Sequence, residues 1–261
     1  MNGLSLEAVD IAVDFGALRV LQGVSFKVDG PERIGLIGPN GAGKTTLLGV
    51  ISGFVAASAG RVVVDGEDVT AMPVAQRVSR GILRTFQTAR LLEDESVETN
   101  IMLGCHSLPG PGTLRELMAT RGALRWSREV RGRTHTVARL VGLGADLHRP
   151  VSTLPSATRR LVEIARVLVA EPSLLLLDEP AAGLDATERV QLGEMLVQAA
   201  THHPCVLVLV EHDVAIVRAV CPTTLVLSAG RLLAAGPTDE VLRLESVRNA
   251  YFGGGASAAH A

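Results

Sequence analysis

The sequence predicts an α/β fold with a mixed sheet and an inserted helical subdomain, and three observations predict it. Residues 33–37 read as a short buried strand that runs into Gly38-Pro39-Asn40-Gly41-Ala42-Gly43-Lys44-Thr45-Thr46 and then into a helical pattern. Two more apolar runs, 173–177 and 205–210, lack the polar alternation of a half-exposed strand and suit strands buried on both faces of a parallel sheet. Between them and the first unit, residues 88–155 change character, with a Pro- and Gly-rich loop and arginine-rich helical patterns. The expected organisation is one domain over 1–250, with its core at 1–87 and 160–250 and the helical subdomain at about 88–159. Residues 253–261, small and Gly- and Ala-rich, are expected to be a flexible tail.

A hydrophobic fraction of 47% over 261 residues is enough for a full core, and an aromatic fraction of 3% makes that core aliphatic. The formal net charge of −2 argues against a dedicated nucleic-acid binder, which would be basic. Lysine occurs only at Lys27 and Lys44, so the placement of Lys44 inside a glycine-rich run is informative. Cys105, Cys205 and Cys221 have no metal-ligand or C-x-x-C spacing, as expected of thiols in a reducing compartment. The first residues have neither the basic start nor the apolar run of a signal peptide. No stretch reaches the roughly 18 apolar residues of a membrane span, so the expectation is a soluble chain that can sit against a membrane protein.

Taken in order, 4–13 and 20–28 read as two strands around a turn at Asp14-Phe15-Gly16. After the glycine-rich unit come a strand at 60–64, a short helix at 73–79 that starts on proline, and an extended stretch at 81–86. Helices are expected at 114–119 and 127–141, and the arginines of this insertion (Arg115, Arg121, Arg125, Arg128, Arg131, Arg133) read as a solvated helix face. An amphipathic helix at 161–170 precedes the first fully apolar strand, and a helix at 186–200 precedes the second. A hairpin at 224–235 and two short helices at 238–244 and 245–251 complete the reading.

The glycine-rich run fits G-x-x-x-x-G-K-[ST] in the strand–turn–helix context that the phosphate-binding P-loop needs. Gly38, Gly41 and Gly43 let backbone N–H groups approach phosphates, and the helix N-terminus adds its dipole. Lys44 is placed for the β- and γ-phosphates and the Thr45 hydroxyl for Mg²⁺. Leu174–Leu177 then delivers Asp178 and Glu179 at a strand end, the edge of an α/β sheet where ligands bind. Asp178 is placed to hold Mg²⁺, directly or through water, and Glu179 to polarise a water against the γ-phosphate. Val210-Glu211-His212-Asp213 repeats the arrangement, and His212 can hydrogen-bond a γ-phosphate; in isolation it would read as a structural histidine. Gln87, after the extended stretch, is a candidate Mg²⁺ or water ligand.

The order P-loop, Gln87, helical insertion, Leu-Leu-Leu-Leu-Asp-Glu-Pro, Ala182-Gly183-Leu184-Asp185 and His212 resembles the ATP-binding subunit of ABC transporters from about residue 4 to 252. The resemblance implies an ABC-type P-loop ATPase core with ATP and Mg²⁺ as cofactors, and a nucleotide-binding set of Phe15, Gly38, Asn40, Gly41, Gly43, Lys44, Thr45 and Thr46. In it Phe15 stacks on adenine, Glu179 and His212 are the catalytic glutamate and switch histidine, and Thr45, Gln87 and Asp178 serve the metal. Asp185 would communicate across a dimer. The implied partners are transmembrane permease subunits docking near Gln87, a second ATPase subunit, identical or different, and indirectly an extracytoplasmic substrate-binding protein. The implied place is the cytoplasmic face of the membrane, without nucleic acid.

Arg84-Thr85-Phe86-Gln87-Thr88-Ala89-Arg90-Leu91, Val210-Glu211-His212-Asp213 and the ending Arg248-Asn249-Ala250-Tyr251-Phe252-Gly253 are similar to the branched-chain amino-acid uptake branch. One departure stands out. The family signature Leu-Ser-Gly-Gly-Gln, which caps the γ-phosphate held by the other subunit, is replaced by Leu154-Pro155-Ser156-Ala157-Thr158. The usual hydroxyl is lost at Pro155, and the Cβ of Ala157 stands where a glycine allows close approach, while Ser156 offers a hydroxyl one position late. The chain is therefore read as an ATP-hydrolysing importer subunit for branched-chain or related amino acids that works by ATP-dependent dimer closure. One alternative is an ATPase-impaired partner in a heterodimeric transporter of another substrate such as urea or amides. A more distant one is a soluble ABC-type ATPase acting on ribosomes or DNA.

Overall fold

The computed structural model describes residues 4–85, 91–107 and 121–252. Alternating burial defines β1 (Ser5–Phe15) and β2 (Leu18–Asp29), which pair antiparallel. β3 (Arg33–Ile37) leads through the P-loop into α1 (Lys44–Ser52). β4 (Ala59–Val64) and the short β5 (Glu67–Asp68) complete a four-stranded sheet in the order β2-β1-β4-β5.

The second sheet is built around β3. β6 (Ile82–Arg84), β7 (Leu174–Asp178), β8 (Val206–Val210) and β9 (Thr223–Ser228) lie parallel in it, and β10 (Arg231–Pro237) closes one edge antiparallel, in the order β10-β9-β3-β8-β7-β6. Helices α2 (Val74–Ser79), α3 (Val97–Met102), α4 (Arg121–Leu140), α5 (Ser156–Leu168), α6 (Ala186–His202), α7 (Val214–Val220), α8 (Thr238–Val241) and α9 (Glu245–Phe252) fill the connections.

The unbroken apolar runs have a physical explanation in this arrangement. Leu174 and Leu176 of β7, with Val206, Val208 and Val210 of β8, enter the core shared with α1 and the antiparallel sheet. Leu175, Leu177, Leu207 and Leu209 point the other way, into a second core with α5, α6 and the helical subdomain. Each strand is covered on both faces, so no position is left for a polar residue until the strand ends. Those ends are where the charged residues gather.

Several boundaries differ from expectation. β1 runs on through Asp14 and Phe15, because both still pair with β2, so the turn is at 16–17. Helix α4 starts by Arg121, earlier than expected, and the helix expected at 114–119 lies outside the described residues. Most consequential, α5 begins at Ser156 rather than 161. Pro155 takes the N-cap position at φ −56°, ψ 156°, and nothing in Ser156-Ala157-Thr158 opposes helix after it. The helix therefore crosses the division placed at 159/160. His202 is the last residue of α6 and His203 its C-cap, so the helix runs two residues past the expected end at 200.

Candidate active site

The P-loop is braced from behind. A Cβ on Gly38, whose φ is 154°, would overlap the Leu227 carbonyl at the end of β9. The Gly230 N–H donates to the Ala42 carbonyl at 3.1 Å, and the Gln22 N–H to Gly230 at 2.8 Å. Gly43 caps α1 in the left-handed region at φ 100°, where a side chain would meet Leu21. Asn40 and Gly41 stand exposed at the tip of the loop, while Thr46 is half-buried in the first turn of α1.

Lys44 is buried at 6% exposure and donates from Nζ to the carbonyls of Gly38, at 2.7 Å, and Pro39, at 3.0 Å. Burial lowers its pKa, opposed by the negative charges of Glu179 and Asp178. The sheet thus brings together three charged residues that lie far apart in sequence. Thr45 Oγ1 is 3.5 Å from Asp178 Oδ1. A threonine hydroxyl beside a carboxylate oxygen is a hard-oxygen donor pair, and it fits Mg²⁺ by donor type.

Asp178, 1% exposed, is not held by the P-loop alone. Its Oδ2 accepts from Arg84 Nη2 at 2.8 Å, and its backbone N–H donates to Thr85 Oγ1 at 3.3 Å. Both partners come from the end of β6, the strand beside β7.

Glu179 follows in the left-handed region at φ 49°, a conformation that costs a non-glycine residue on the order of 1 kcal/mol or more. The neighbours over-determine it. Its N–H donates to the Val210 carbonyl at 2.9 Å, and its carbonyl accepts from Arg160 Nη2 at 2.8 Å. Arg160 also donates Nε to the Pro180 carbonyl at 3.2 Å and Nη1 to Glu163 at 2.6 Å. This bend turns the Glu179 side chain towards His212, whose Nε2 lies 2.7 Å from Glu179 Oε1. Next to His212, Glu211 is buried and accepts the Ala181 N–H at 2.7 Å. Burial pushes its pKa up, and the backbone N–H groups of Ala181 and His212 oppose the rise.

The other expected residues lie apart from this cluster. Phe15 ends β1 with 54% of its surface exposed, on the sheet whose inner face packs on α1. Asp185 is the N-cap of α6 in a capping box: its Oδ1 accepts the Glu188 N–H at 2.8 Å, and Glu188 accepts the Asp185 N–H at 2.9 Å. Leu154 is buried, Pro155 and Ser156 are exposed, Thr158 is half-buried, and Ala157 packs its methyl against the helical-side core. Among the described residues no hydrogen bond joins 154–158 to the P-loop. Gln87 lies outside the described residues. Sequence alone does not single out Arg84, Arg160 and Glu211, because the bonds that tie them to Asp178, the Glu179 carbonyl and the Ala181 N–H span 94, 19 and 30 residues.

The ABC transporter family model matches residues 21–182. The high-affinity branched-chain amino acid transport ATP-binding protein LivG of Salmonella typhimurium is 34% identical, over 97% of this chain and 96% of its own. The corresponding BraF of Pseudomonas aeruginosa is 32% identical over 95% and 97%. The lipopolysaccharide export system ATP-binding protein LptB of Escherichia coli is 31% identical over 95% and 97%. Among solved structures, the ADP conformation of an ATP-binding cassette of an ABC transporter superposes with a TM-score of 0.82 at 29% identity, covering 96% of this chain and 99% of that one. A nucleotide-free cassette gives 0.79 at 28%, covering 95% and 98%.

Proposed function

The chain belongs to the ABC transporter family as an ATP-hydrolysing, ATP-binding subunit, and we propose that it powers uptake of branched-chain or related amino acids. The observation that carries the enzymatic part is the meeting of Lys44, Thr45, Asp178, Glu179 and His212 at the ends of β3, β7 and β8. The similarity to LivG and BraF over nearly the whole chain supports the cargo class.

In this reading the P-loop N–H groups and Lys44 bind the phosphates of ATP. Lys44 then exchanges its bonds to the Gly38 and Pro39 carbonyls for phosphate oxygens. Thr45 and Asp178 would hold Mg²⁺, which would supply positive charge against the phosphates of the nucleotide. Glu179 polarises the attacking water, and His212 holds the carboxylate in place until its imidazole turns to the γ-phosphate. Phe15 supplies a face for adenine. The site is then half of a composite. The N-terminus of α5 at Pro155-Ser156 is offered to the nucleotide of a second ATPase subunit, and Asp185 lies at the same head-to-tail interface. Closure of that pair drives the permeases.

A cleft of about 340 Å³ beside the end of β6, lined by Ser52, Phe54, Ile82, Arg84, Leu103 and Arg166, supports permease docking near the strand that leads to Gln87. Among the described residues no helix is long and apolar enough to cross a membrane. Purification of the tagged chain from detergent-solubilised membranes tests this directly. Two permeases should accompany it, and recovery free of membrane partners, or with nucleic acid, would count against the reading.

A further inference from the structure

We propose that Arg84 competes with the divalent cation for Asp178 and thereby sets how much Mg²⁺ the site requires. The inference rests on the reading of Thr45 and Asp178 as the cation site. Asp178 presents two oxygens to different partners: Oδ1 lies 3.5 Å from the Thr45 hydroxyl, and Oδ2 is taken by Arg84 Nη2 at 2.8 Å. The side chains are 9% and 2% exposed, so water does little to screen the pair. Arg84 is therefore the hydrogen-bonded counter-charge of this carboxylate, with the Lys44 ammonium the second positive group that feels it.

The guanidinium is held where it must be felt. Arg84 pairs with Leu176 across the β6–β7 ladder, and Thr85, the next residue, bonds the Leu176 carbonyl and the Asp178 N–H. On its other side Arg84 Nη1 reaches Ser52 Oγ of α1 at 3.5 Å, so the cation lies between the P-loop helix and the strand that carries Asp178. A fixed unit charge beside the carboxylate weakens that carboxylate's attraction for a second cation, and at this separation the effect survives even a high effective dielectric. Loading Mg²⁺ must loosen the Arg84–Asp178 bond or share the carboxylate with it. A merely structural ion pair would stabilise the fold without moving the cation requirement.

The test is a Mg²⁺ titration of the full chain carrying a fluorescent non-hydrolysable ATP analogue, read by the analogue's emission. Arg84→Met should lower the half-saturating Mg²⁺ by about tenfold, while Arg84→Lys, which keeps the charge, should stay within about twofold of the parent. A folded Arg84→Met chain with an unchanged or higher requirement overturns the inference. Removing the arginine leaves a buried carboxylate unpaired, so that variant can fail to fold. The parent chain then decides: the Arg84 Nε–Hε resonance should shift when Mg²⁺ joins the analogue and not with the analogue alone, and an unmoved resonance overturns the inference. Asp178→Asn separates the two layers. If it leaves the Mg²⁺ requirement unchanged, the cation-site reading fails and takes this inference with it; if it raises the requirement while Arg84→Met does nothing, only the inference fails.

Discussion

His212 Nε2 lies 2.7 Å from Glu179 Oε1, joining the end of β8 to the end of β7. Val210, the last residue of β8, also accepts the Glu179 N–H, so the strand that supplies the imidazole also sets the backbone of the carboxylate. Glu179→Gln should lower ATP turnover by about 10²-fold or more while ATP still binds, because the amide keeps the shape but cannot take a proton. His212→Ala should also lose turnover, since the carboxylate loses its positioning partner. Steady-state phosphate release alongside nucleotide binding checks both, and full turnover by Glu179→Gln would remove that residue from its role.

The stretch 154–158 gives a second prediction. Pro155 sits at the N-cap of α5 without a side-chain bond to the helix, a position where serine is favoured. Ala157 is half-buried and packs against the helical-side core, so part of its methyl is already covered by this chain. Pro155→Ser with Ala157→Gly should then raise turnover of the assembled pair only modestly, by about threefold or less, the gain coming from the restored hydroxyl. A much larger gain would instead mark this chain as the impaired half of an unequal pair.

Phe15, with 54% of its surface exposed, makes a prediction about affinity alone. Phe15→Ala should raise KM for ATP by roughly 2- to 10-fold, the worth of one aromatic stacking contact, with kcat unchanged. An equal loss in kcat would assign Phe15 to the fold or the dimer and not to adenine.

Glu211 predicts a pH dependence. Burial raises its pKa above the ordinary 4.5, so the folded state holds this proton more tightly than the unfolded chain does. Its contribution to stability is therefore greatest below that ordinary value and is lost as pH rises through the raised one. Glu211→Gln keeps an oxygen for the Ala181 N–H and has no charge to bury. Thermal melting should show the variant more stable than the parent at neutral pH, the gap closing under acid conditions. A gap of constant size would mean that titration of Glu211 is not its source.

What was legible in the sequence was local. The P-loop is one continuous run, and Asp178, Glu179 and His212 each follow an apolar strand whose length fixes where they emerge. The mixed sheet and the family could be read from the order of these signals. The restraints that make the residues a site come from far along the chain: Arg84 reaches Asp178 across 94 residues, and Arg160 reaches Glu179 across 19. Nothing in an arginine's neighbours says which carboxylate or carbonyl it will meet. The start of α5 departs from the expected one for a related reason. Pro155 carries no capping side chain to announce a helix start, whereas in the fold it is the cap from which the helix begins. Asp185 shows the same ambiguity, being a helix cap in this chain whatever it does towards a partner.

Coupling of hydrolysis at Glu179 to amino-acid uptake can be read from ATP turnover by this chain reconstituted in vesicles with the permeases and binding protein of a branched-chain amino-acid importer. Leucine, isoleucine or valine, delivered by the binding protein, should stimulate hydrolysis, and Glu179→Gln should abolish the stimulated rate. Turnover indifferent to every branched-chain amino acid, or stimulated by a lipid cargo instead, would contradict it.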